Sequence, residues 1–236
     1  MPGRVLLGGN VAVRYEVQRL LNEAHPDLTV ESVEHPWQMA DRAVELSIDV
    51  AVVLEGAIAA HEERMAAIRA LRGRGFGGRI LLAGSFLTER EEAVAAGVDA
   101  VFDPSQQRCE AVIEAALWRP RVACDHPYLA ALFTGQRLVL ERFGEALPTR
   151  APDLLLCAVS RHEDAAFYLA LGEAYARRAE ATFILVDDGG SEEATVAALS
   201  TGVQPVVELA AEGILKIREL ALAALHARWL TRLQAA

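Results

Sequence analysis

Short, unbroken apolar runs, each followed by a helical pattern, constrain this chain more than any other feature. "DVAVVL" (49–54), "RILLAG" (79–84), "PDLLLCAV" (152–159) and "TFILVDD" (182–188) offer no polar face. A strand with apolar side chains on both sides must be covered on both faces, which is the signature of a parallel sheet between helical layers. Before the first of these runs, Val5–Leu7 enters a turn at Gly8-Gly9-Asn10, and Val13, Val17, Leu20 and Leu21 follow at helical spacing. "LTVESV" (28–33) alternates at period two, and "WQMADRAVEL" (37–46) reads as a helix facing inward through Trp37, Ala40 and Val44. A helix through Met65, Ile68 and Leu71 comes next. After the strand at 79–84 come a helix around 89–97, a strand at 100–102 and a helix at 109–118. Five β-α units thus fill the first half.

The second half repeats the later part of the first at an offset near 104 residues. "PDLLLCAV" lies against "IDVAVVLE" (48–55), "TFILVDD" against "GRILLAG" (78–84), and "EEATVAALSTGVQPVVEL" (192–209) against "EREEAVAAGVDAVFD" (89–103). Only the start differs. After a short strand at 121–124, one helical stretch over about 128–146 precedes the next strand, so a β-α element is expected to be lost or remodelled there. Right-handed crossovers then give two doubly wound α/β domains, 1–119 and 120–236, the second ending in a long helix from about Glu212 to Leu233.

Charge and cysteine usage remove several functions. With 33 acids against 23 bases the formal net charge is −10, which opposes a general nucleic-acid role and binding to anionic membranes. No apolar run is long enough to span a membrane, and the N-terminus has no signal-peptide core, so a cytoplasmic location is expected. Cys109, Cys124 and Cys157 are odd in number and widely spaced, which argues against a disulfide framework and a CxxC-type zinc site. The chain has one lysine, Lys216.

The first 118 residues or so resemble the receiver domain of bacterial two-component response regulators. The resemblance lies in "SIDVAVVLEGA" (47–57), like the third strand and phosphorylation loop, and in "TEREEAVAAGVDAVFDP" (88–104), like the fourth helix, Ala-Gly turn and fifth strand. It implies a flavodoxin-like fold, with the second half a more degenerate copy. Receiver chemistry needs two metal-binding acids after strand 1, an acceptor aspartate, a hydroxyl after strand 4 and a lysine after strand 5, because metal and cation must offset charge on the moving phosphoryl group. The acid pair falls on Gly8, Gly9 and Asn10, and the acceptor on Leu54 or, with a one-residue slip, Glu55. The hydroxyl falls at Ser85, and the lysine at Asp103 or Pro104. Glu55 is either a mimic of a phosphorylated aspartate or a solvated loop residue, and Ser85 either a retained hydroxyl or a helix cap.

In the second half the acceptor position falls near Ala158. Asp187-Asp188 reads as a metal-binding pair or as a turn before a helix capped by Ser191 with Glu192 and Glu193 in its first turn. Cys124, Asp125, His126, Cys157 and His162 are a weak candidate for a metal or thiol–imidazole group. The glycine-rich "RGRGFGG" (72–78) follows a helix and precedes a strand, the reverse of a dinucleotide fingerprint. In the last helix Ile214, Ile217, Ala221 and Leu225 form one stripe, and Leu215, Leu222 and Trp229 a second. Two stripes call for a second packing partner, either within the chain or in another copy, which makes Leu215, Leu222, Leu225 and Trp229 a possible interface.

These readings lead to a non-enzymatic signalling module: a phosphorylation-independent tandem pseudo-receiver, without cofactor or metal. It would bind other signalling proteins (a kinase, cyclase or motility component) and associate with itself. The alternative is a small-ligand or nucleotide sensor built on Gly8, Gly9, Asn10, Ser85 and Asp103. An α/β enzyme ranks last, since no nucleophile–base–acid set can be assembled from spacing.

Overall fold

The computed structural model describes residues 3–54, 61–84, 90–134, 136–177 and 181–236. The chain divides into two units, one comprising Met1–Trp118 with Arg232–Ala236 and the other Arg119–Thr231. The expected boundary after residue 119 thus lies one residue late, and the last five residues belong with the first unit rather than the second. Within that first unit the Arg232 guanidinium lies 4.6 Å over the Trp118 ring, and the Gln107 amide donates to the Leu233 carbonyl.

The first unit runs β1 (Arg4–Gly8), α1 (Val11–Ala24), β2 (Thr29–Val33), a 3-10 turn (Pro36–Gln38), α2 (Met39–Glu45), β3 (Val50–Val53), α3 (His61–Gly73), β4 (Arg79–Ala83), α4 (Arg90–Ala96), β5 (Ala100–Phe102) and α5 (Cys109–Leu117). Its strands are all parallel, in the order β2-β1-β3-β4-β5. That is the doubly wound, flavodoxin-like arrangement. The apolar runs take the central places: every residue of β3 is buried, as is β4 after its first residue. Two side-chain assignments differ from the sequence reading. Pro36 opens a 3-10 turn before α2, which shifts the helical phase. Met39, Ala40 and Ala43 therefore enter the core, while Trp37 and Val44 face outward. In α1 the buried stripe is Arg14, Val17 and Leu21, and Val13 is exposed.

The second unit runs β6 (Arg121–Cys124), α6 (Pro127–Ala131), β7 (Val139–Arg142), β8 (Leu154–Ala158), a 3-10 turn (Val159–Arg161), α7 (Ala165–Arg177), β9 (Thr182–Asp187), α8 (Glu192–Ser200), β10 (Val206–Glu208) and α9 (Leu209–Gln234). Its order, β10-β9-β8-β6-β7, is the same winding as the first sheet, with β6 in the place of β1 and β7 in that of β2. The expected single helix over 128–146 is therefore corrected to a short helix and a parallel edge strand, with Arg121 opposite Val139. What this unit lacks among its described residues is a helix between β7 and β8. The connection "FGEALPTRAPD" (143–153) contains Gly144, Pro148 and Pro152, and two prolines remove the donors and clash with the carbonyls a helix would need.

Alternate residues of β8 serve opposite faces, as period two requires. Leu154 and Leu156 pack with Ile217, Ala221 and Leu225 of α9, whereas Leu155 and Cys157 pack with Phe167 and Leu171 of α7. The long helix is interrupted at Gly213, whose φ of 76° is left-handed and open to glycine at low cost. Among the described residues no helix is long and apolar enough to cross a membrane.

Candidate functional site

In a doubly wound sheet the loops at the carboxyl ends of the strands form the crevice where ligands bind. In the first unit the described residues at that end are tied by the protein's own hydrogen bonds. The Gly8 carbonyl accepts from the Leu54 N–H at 2.8 Å, and Leu54 itself is buried. Gly9 sits at φ 131°, and a Cβ there would lie 2.7 Å from the Leu54 carbonyl oxygen. Only glycine fits this turn, and the reason is backbone packing. Asn10 caps α1 by accepting the Ala12 N–H at 2.9 Å. Asp103 accepts from both the N–H and the hydroxyl of Ser105, at 2.8 and 2.7 Å, and these bonds hold its carboxyl below the ordinary aspartate range.

Glu55 and Ser85 lie outside the described residues. The structure thus brings Gly8, Gly9 and Leu54 together, while Asn10 and Asp103 are each engaged with their own loop. A residue not anticipated from sequence joins them. Arg14 is buried, and its Nε donates to the Gly9 carbonyl at 2.7 Å. Its spacing with Val17 and Leu21 marked it as inward-facing, but a charged residue on an apolar stripe is easily passed over.

The second unit is chemically richer at the same end. Asp125, directly after β6, is buried, and both of its carboxylate oxygens lie 3.0 Å from the Ala158 N–H. One of them also meets His162 Nε2 at 2.8 Å. The His162 ring stacks on Phe167 with centroids 3.6 Å apart and on Phe143 at 6.4 Å. A second carboxylate, Asp188 after β9, accepts from the Ser160 N–H and hydroxyl and from the Tyr128 hydroxyl, at 2.9, 2.7 and 3.1 Å. Burial and the nearby Asp188 charge push the Tyr128 phenol up, so it stays a donor.

Of the sequence-derived group Cys124, Asp125, His126, Cys157 and His162, Asp125 and His162 are the pair joined by a hydrogen bond. His126 caps α6, accepting the Tyr128 N–H. Burial pushes the Cys124 thiol up to about 11 and Cys157 well above its ordinary value, so both remain protonated and poor nucleophiles. Asp187 accepts from the Gly189 N–H in a turn, and Ser191 caps α8 with Glu192 and Glu193 in its first turn, which is the turn-and-cap alternative. Among the described residues no cluster of three or more metal-ligating side chains is assembled.

The suggested interface on α9 is corrected in part. Leu225 and Trp229 are buried within the chain, and Leu222 packs partly against the second unit's core. Leu215, 70% exposed, is the one residue of the four left fully open. A helix that closes a sheet spends most of its apolar surface on it.

No protein-family model matches the chain, and no curated protein matches it. Several solved structures are similar to the chain, each at low sequence identity. A probable two-component system response regulator/GGDEF domain protein is similar over 96% of this chain and 99% of its own, at 14% identity and a TM-score of 0.45. A putative two-component system response regulator/GGDEF domain protein is similar over 98% and 99%, also at 14% and 0.45. A LuxR-family two-component response regulator from Aurantimonas sp. SI85-9A1 is similar over 59% of this chain and 90% of its own, at 18% identity and a TM-score of 0.41. Neither identity nor TM-score reaches the level at which a shared activity follows.

Proposed function

We propose that this chain is a non-enzymatic signal-transduction module, a tandem pseudo-receiver that works without phosphorylation and through contact with other proteins. The observation that carries the reading is the first unit's strand-end turn. Where a receiver would hold a metal ion between acids, Gly8, Gly9 and Asn10 supply no carboxylate, and the turn is fastened by Leu54, Arg14 and the helix cap. At the place of the phosphoryl-neutralising lysine stands Asp103, an anion bound to Ser105. Among the described residues neither an acid pair for a metal ion nor a lysine stands there to offset anionic charge on a transferred phosphoryl group. In the second unit the carboxylates Asp125 and Asp188 are likewise occupied by protein donors. Output through protein surfaces is what remains to such a fold, with kinases, cyclases or motility components, or a second copy of the chain, as the partner classes.

Incubation of the full chain with Mg²⁺ and acetyl phosphate, followed by intact-mass and peptide mass spectrometry, tests this. The expected result is no phosphoryl adduct. An acyl phosphate on any carboxylate would overturn it.

A further inference from the structure

We draw no further inference here: the strongest candidate, the buried Arg14 side chain beside the Gly9 turn ahead of α1, already donates to the Gly9 carbonyl, and no second observation among the described residues points to an anion there.

Discussion

At the scale of single residues, chemistry is decided by what each polar group already holds. Asp103 occupies a position that could carry function, yet Ser105 satisfies it locally, and the depressed carboxyl pKa reports that bond. A carboxyl with a lowered folded-state pKa stabilises the protein above the ordinary aspartate value and loses that contribution as pH falls through the lowered one. Ser105→Ala should therefore raise the Asp103 titration midpoint toward the ordinary value, read from its carboxyl carbon by NMR. An unchanged midpoint would mean that another group holds the charge. Asp125 and His162 make the same point in the opposite direction. Both stood in the sequence as members of a loose candidate group, and only the winding of β6 beside β8 brings Asp125 to the Ala158 amide and the His162 ring.

At the scale of elements, periodicity located most strands and helices and misjudged phase in places with identifiable causes. The strand at 100–102 falls where expected, as do the buried runs of β3, β4, β8 and β9. Trp37 missed its predicted face because the turn begun at Pro36 is 3-10 rather than α. The stretch 128–146 missed because a four-residue edge strand has too few alternations to stand out from a helical pattern. In α9 the stripe Ile217, Ala221 and Leu225 is buried as read, but the second stripe ends in Trp229, which is also buried. Trp229→Ala should lower unfolding free energy by about 3–5 kcal/mol, the usual cost of emptying a large core site. Urea unfolding measures this, and light scattering on the same samples separates it from an interface. Loss of oligomer mass without loss of stability would restore the interface reading.

At the scale of the whole molecule, the net charge of −10 and the two parallel sheets set the class of behaviour. A chain with this acidic excess should give no saturable binding to duplex DNA even at low salt, where phosphate contacts are strongest. Fluorescence anisotropy checks this, and a saturable, salt-dependent rise would require a basic surface that the charge balance hides. The sequence by itself determined the α/β class, the parallel sheets and the residue types at the first unit's strand ends. Each depends on residue type and local period. Tertiary structure alone decided that the second half keeps all five strands, that Arg14 fastens the Gly9 turn, and that Asp125 holds His162. Those facts join residues far apart in the chain, and sheet order and packing, which no local pattern encodes, determine which of them meet.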